Sequence, residues 1–208
     1  MAAIDFKKTD KALYQPPTAP VIIDVLPMTF IAIDGSGDPN TSESYAEAIE
    51  ILYGLSYAIK MANKTVMEYV VPPLEGLWST PDDSLENTAP LNKDQLEWTA
   101  LIRQPDFVGE TELAAAKQAL AKKKPKLNLD WARLQTITEG LCVQVMHIGS
   151  YDDEPATIKQ MLAFATDSGY LIDLNDERRH HEIYIADPRK TAPEKLRTVL
   201  RYPIKERE

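Results

Sequence analysis

Cysteine is nearly absent: the 208-residue chain has one, Cys142, inside the apolar run Leu141-Cys142-Val143. A single thiol builds no disulfide framework, which fits a reducing cytoplasm, and an apolar setting reads as a small buried hydrophobe rather than a nucleophile. No apolar run approaches roughly 18 residues, so no transmembrane helix is expected. The opening MAAIDFKKTDKALYQ lacks the apolar stretch of a signal peptide, and the expected location is cytoplasmic. Basic residues are outnumbered, 23 Lys and Arg against 32 Asp and Glu, for a net charge of −9. Direct nucleic-acid binding, which needs a basic face, is therefore not expected. The local exception, Lys122-Lys123-Lys124 with Lys126, reads as a solvated helix end where cations suit the macrodipole.

Common catalytic signatures are also missing. There is no GxSxG elbow, no GxGxxG and no phosphate-binding loop, so any hydrolysis should not pass through a serine acyl-enzyme. There is no HxxxH or CxxC spacing. His180 and His181 are adjacent, so on a strand they point to opposite faces, and His147 is distant in sequence. No metal and no cofactor are expected.

What is present suits a globular domain: 44% hydrophobic and 26% charged residues, in a chain long enough to bury roughly 70% of its unfolded surface. After a polar lead-in over residues 1–20, strands are predicted at 21–25 and 29–34, with Gly35-Ser36-Gly37-Asp38-Pro39-Asn40 as a turn. Ala46, Ile49, Leu52, Tyr53, Ser56, Tyr57 and Lys60 trace one face of a helix capped by Ser42 or Ser44. Residues 79–91 read as a loop, 96–103 as a strand and 111–123 as a second helix, with a shorter helix over 128–134. The second half repeats this grammar: a strand at 141–147, a turn at Gly149-Ser150, and a helix entered through Glu154-Pro155. Strands at 181–185 and 196–201 close it. The fold class is α+β, a tandem β-α-β-β repeat forming an antiparallel sheet with helices on one face and a groove at the repeat interface. The whole chain, 1–208, is one domain, with half-repeats at 21–105 and 139–208 joined by a helical segment at 106–138.

The stretch HHEIYIADPRKTAPEKLRTVLRYPI carries the chemistry. Period-two alternation puts Glu182 and Tyr184 on one sheet face. A desolvated glutamate there suits proton transfer from water or pairing with a cation, and Tyr184 suits donation to a ligand oxygen. Trp78 and Trp98 are candidate stacking walls, Trp98 also suiting plain core packing. Tyr69, Tyr151 and Tyr170 are further ligand-binding candidates. Glu68 and Glu75 read more simply as solvated loop or strand-edge residues.

The segments FIAIDGSGDPN, LYGLSYAIKM, VPPLEGLW, EWTALIRQPDFV, EGLCVQVMHIGSYDDEPATI and HHEIYIADPRKTAPEKLRTVLRYP, in this order, resemble the GyrI-like small-molecule-binding family in its stand-alone branch. Ser79 departs from the pattern, since a second aromatic is expected after Trp78. The resemblance implies a groove for an aromatic, planar or cationic small molecule. It further implies a detoxifying hydrolase opening the cyclopropane of spirocyclopropyl-dienone (cyclopropanoid) DNA-alkylating compounds, with Glu182 and Tyr184 catalytic. Two alternatives stand beside it: a non-catalytic sensor or sequestering module for drugs, and a protein-interaction role such as gyrase inhibition. With no helix-turn-helix segment visible, a transcriptional effect would need a partner chain.

Overall fold

The structure is a computed structural model describing residues 3–80 and 92–207. Most of the segment read as a loop after Ser79 lies outside the described residues. The strands are β1 (Val21–Val25), β2 (Met28–Ser36), β3 (Glu75–Ser79), β4 (Glu97–Arg103), β5 (Arg133–Ile137), β6 (Gly140–Ile148), β7 (Tyr170–Ile172), β8 (His180–Tyr184) and β9 (Arg197–Glu206). Two short turns, α1 (Phe6–Thr9) and α2 (Lys11–Tyr14), precede three longer helices, α3 (Glu43–Ala62), α4 (Glu110–Lys123) and α5 (Glu154–Asp167).

The sheet runs β1-β6-β9-β8-β3-β4-β2-β5, with β7 pairing β9, and every pairing is antiparallel. The order is symmetric about its centre. On one side lies β3-β4-β2 with α3 from the first β-α-β-β unit; on the other, β8-β9-β6 with α5 from the second. The units meet where Glu75–Trp78 of β3 pairs with Ile183–His180 of β8. Each half also lends an edge strand: β1 precedes β2 in sequence yet pairs with β6, and β5 precedes β6 yet pairs with β2.

The expected short helix over 128–134 is instead a 3-10 turn, Leu129–Trp131, running into β5. The run Arg133-Leu134-Gln135-Thr136-Ile137 fits a strand whose partners are Ala32 to Met28, and a free sheet edge offers hydrogen bonds that three-residue helical spacing does not. Ser42, not Ser44, caps α3, its hydroxyl accepting from the Tyr45 amide at 3.2 Å. The lead-in segment is not a surface appendage either. Tyr14 is buried, and Phe6 lies under the Arg103 guanidinium at 4.4 Å, so this segment covers the sheet face opposite the helices.

Alternation sorts the two faces. Ile31, Ile33, Trp98, Ala100 and Ile102 pack under α3, and Val143, Val145, Leu200 and Tyr202 under α5. Phe30, Ala32, Leu77 and Leu101 form a cluster on the reverse face. Helix α3 packs over β2 and β4, and α5 over β6 and β7. The central pair β3–β8 lies between the two helices, and this seam between the repeats is the position expected for the groove.

Candidate functional site

Three elements converge on the seam. From β8 come His180, Glu182 and Tyr184; from β3, Gly76 and Trp78; from the 3-10 turn Tyr151–Asp153 and the start of α5, Tyr151 and Glu154. Tyr45, in the first turn of α3, closes the opposite wall by packing against Trp78 with ring centroids 5.9 Å apart.

The Glu182 carboxylate has a donor on each oxygen. His180 Nε2 lies 2.9 Å from Oε1, and the Tyr184 hydroxyl donates to Oε2 at 2.7 Å. The Trp78 indole N–H donates in turn to the Tyr184 oxygen at 3.1 Å. A polarised chain therefore runs from Trp78 through Tyr184 into Glu182. Trp78 reaches Tyr184 by leaning over Gly76, where an added Cβ would sit 2.7 Å from the indole nitrogen. Gly76 is also the cross-strand partner of Glu182, so the indole that fills the space over this glycine lies beside the carboxylate. Burial pushes the Tyr184 phenol well above its usual range, and the Glu182 charge adds to this.

Tyr151 meets Tyr184 edge-on at 5.9 Å, and burial pushes its hydroxyl up to about 12. Its turn is pinned by His147, whose Nδ1 contacts the Thr157 hydroxyl at 2.8 Å and whose Nε2 contacts the Ser150 carbonyl at 2.9 Å. Glu154 is buried at 7% exposure, and its Oε1 has no hydrogen-bond partner. Burial first, and the Glu182 charge second, push its carboxyl well above the usual carboxylate range. His180 packs against the Tyr202 ring at 4.5 Å and leaves Nδ1 buried and unpartnered.

Glu182, Tyr184, Trp78 and Tyr151 of the sequence candidates are brought together here. Trp98 lies one layer out: 2% exposed, it fills the space over Gly35 and touches Tyr45 edge-on at 4.9 Å, supporting the wall from behind. Tyr69 and Tyr170 are not in the groove. Tyr69 is buried against Phe107 in the α3 core, and Tyr170 pairs with Glu206 on β7 and packs beneath α5. Three groove residues were not singled out from sequence: Tyr45, His180 as a partner of Glu182, and Glu154. Tyr45 and Glu154 stand at helix starts, and spacing alone gives no sign that both starts face one seam. A separate hollow of about 210 Å³, lined by Asp34, Ser44, Trp98, Trp131 and Arg133, lies off this constellation, and its acid is already paired with Arg133.

The reverse face of β8 carries a second cluster. His181 sits between Glu139 (Nδ1 to Oε1, 3.0 Å) and Glu75 (Nε2 to Oε2, 3.0 Å), the latter an ion pair without hydrogen-bond alignment. Arg201 donates to Glu139 at 2.7 Å and to Gln144 at 3.1 Å, and Tyr14 donates to Glu75 at 3.1 Å. Glu75, expected at a solvated edge, is thus fully buried. Burial lowers the His181 pKa, but the two carboxylates outweigh it and hold the imidazole up to about 9. Burial raises the Glu139 pKa, but Arg201 and His181 outweigh it and hold the carboxyl down to about 2. Among the described residues no three His, Cys, Asp or Glu side chains gather to hold a metal ion, and no helix is long and apolar enough to cross a membrane.

A profile of the GyrI-like small molecule binding domain matches residues 116–205. An uncharacterized conserved protein from Listeria innocua is 40% identical over 97% of this chain and 100% of its own, with a TM-score of 0.89. A hydrolase from Listeria innocua is also 40% identical over the same shares, with a TM-score of 0.87. The C-terminal domain of EcmrR shares the fold at 14% identity, with a TM-score of 0.56 over 90% of this chain and 98% of its own. No curated protein matches the chain. The chain belongs to the GyrI-like small-molecule-binding family.

Proposed function

We propose that this protein is a cofactor-independent hydrolase that opens the cyclopropane of spirocyclopropyl-dienone compounds. One observation carries the reading. Glu182, a carboxyl group with a hydrogen-bonding partner at each oxygen, lies among the aromatic rings of the seam with 14% of its side chain still exposed. The 40% identity to a protein described as a hydrolase supports it.

Tyr45, Trp78 and Tyr151 offer planar walls for the ligand rings. Glu182 accepts a proton from water as the water oxygen bonds to the cyclopropane methylene. The bond from that methylene to the spiro carbon breaks, its electron pair aromatises the dienone, and the former carbonyl oxygen becomes a phenolate. Protonation of that oxygen completes the net addition of water. Ring strain drives the step downhill, so acid/base assistance of roughly 100- to 10,000-fold suffices. Tyr184 has its proton committed to Glu182 at rest, so it first orients the base. Hydrogen bonding to the phenolate, the role the sequence reading gives it, opens once Glu182 has taken the water proton and no longer holds the Tyr184 O–H.

The test is incubation of the pure protein with a spirocyclopropyl-dienone compound, following the water adduct by chromatography and mass spectrometry beside Glu182→Gln. Catalytic formation of the adduct, lost in the folded variant, is the expected result. Full turnover by Glu182→Gln rules out the general-base role. Saturable binding without product moves the reading to a sequestering or sensing module, in which Glu182 serves as counter-ion and the aromatic walls as cation–π partners.

A further inference from the structure

We propose that Glu154 is the acid of the groove: it rests as a neutral carboxyl group and gives its proton to the oxygen on which negative charge develops, while Glu182 takes one from water. The proposal rests on the hydrolytic reading above and completes its proton inventory.

The hydrogen bonds at the seam leave few donors free. The Trp78 N–H goes to Tyr184, the Tyr184 O–H to Glu182, and His180 Nε2 contacts the other Glu182 oxygen. None of the three points a spare proton at a ligand. Glu154 does the opposite: it is 7% exposed and its Oε1 is unpartnered. An ionised carboxylate left in that state is strongly disfavoured, whereas a neutral one is a single O–H donor awaiting an acceptor.

The groups around Glu154 come from every element packed on it. Glu182 of β8 faces it and disfavours its charge, as does Asp152 of the preceding turn. Thr198 of β9 and Lys93 of the 3-10 turn Lys93–Gln95 pull the other way. Lys93 is partly spent on Asp152, 3.2 Å away. Tyr184 and Tyr151 also border it, and both are held neutral by burial. Buried, with one oxygen unpartnered and its charge disfavoured by these neighbours, Glu154 keeps its proton. The cycle balances. Water gives a proton to Glu182 and its oxygen to the methylene; Glu154 gives a proton to the phenolate oxygen; the Glu182 proton then passes to Glu154 and restores the resting state.

The experiment has two readouts on the full-length wild type, Glu154→Gln, Glu154→Asp and Glu182→Gln, each first checked for folding by thermal melting. The first is the pH profile of kcat/KM for a spirocyclopropyl dienone. Wild-type activity should fall as pH rises and Glu154 ionises. Glu154→Gln should lose roughly 100-fold or more and show no such alkaline limb, and Glu154→Asp should recover part of the rate with a displaced limb. The second is infrared spectroscopy at neutral pH. A protonated-carboxyl band should be present in the wild type and in Glu182→Gln and absent from Glu154→Gln. Turnover by Glu154→Gln at the wild-type rate with the alkaline limb intact overturns the acid role, as does a wild type without the carboxyl band. A wild type that shows the band yet never turns over overturns the hydrolytic reading, and the acid role goes with it.

Discussion

His180 and His181 are neighbours on one strand, each bonded to a carboxylate, and their surroundings could hardly differ more. On the reverse face, Glu75 and Glu139 are balanced by His181 and Arg201, two negative charges against two positive, all of them buried. On the groove face, the Glu182 charge disfavours ionisation of the buried Glu154, and among the described residues Glu154 Oε1 and His180 Nδ1 lack partners. A buried charge set that closes on itself holds the fold together. One left short of a cation or a proton is prepared for something to arrive.

The sharpest way to break this comparison is to exchange the outcomes. Glu182→Gln should cost roughly 100- to 10,000-fold in turnover and leave the melting temperature nearly unchanged, because the amide keeps an oxygen to accept from Tyr184 and an NH2 that His180 Nε2 can accept from in its other tautomer. Glu139→Ala should do the reverse. It leaves Arg201 and His181 buried without their shared carboxylate, which costs about 3–5 kcal/mol. Denaturant unfolding of the two variants measures both. An unaffected midpoint for Glu139→Ala would mean that the closed network is not structural.

A pH titration of stability sharpens the same contrast. His181 is held up to about 9 from an ordinary 6.5. Its contribution is fully present below pH 6.5 and is lost as pH rises through 9. Glu139 is held down to about 2 from an ordinary 4.5. Its contribution is present above pH 4.5 and is lost as pH falls through 2. The contribution of this pair should therefore be flat between pH 4.5 and 6.5 and fall on both sides, by on the order of 3 kcal/mol on the alkaline side, while Glu154, whose carboxyl is held above its usual range, adds a decline of its own above pH 4.5. The two groups form one pair, so the contributions are shared rather than summed.

Much of the fold is legible along the chain because it rests on local pattern. Alternation placed Glu182 and Tyr184 on one face, and the Gly35 and Gly149 turns marked the corresponding points of the two repeats. Long-range pairing was not legible. Nothing in Arg133-Leu134-Gln135-Thr136-Ile137 says that its partner lies about a hundred residues away on β2, and so a helix was expected nearby. The lead-in looked like surface for the same reason: Tyr14 is buried only because Glu75, 61 residues on, takes its hydroxyl hydrogen bond. The site divides in the same way. Residues on one strand were found together, whereas Tyr45 and Glu154 reach the seam only because the sheet is symmetric about β3–β8.

Two glycines give the smallest effect and the finest test of where core ends and site begins. At Gly35 an added Cβ would lie 2.2 Å from the Trp98 ring, and at Gly76 it would lie 2.7 Å from Trp78 Nε1. Both substitutions force an indole to move, and neither glycine has a positive φ that would add backbone strain. Trp98 is 2% exposed and packed edge-on against Tyr45, so Gly35→Ala should act as overpacking and cost about 1–3 kcal/mol of stability. Trp78 borders the groove and can swing toward it. Gly76→Ala should therefore cost less stability, about 1 kcal/mol, since one hydrogen bond to Tyr184 is lost. The displaced ring would enter ligand space and free the Tyr184 oxygen, loosening Glu182, so ligand affinity should fall about tenfold, equivalent to 1.4 kcal/mol. Calorimetric melting and ligand titration on both variants separate the effects. Equal losses of affinity from the two would place Trp98 in the binding site itself, and no loss from Gly76→Ala would remove Trp78 from it.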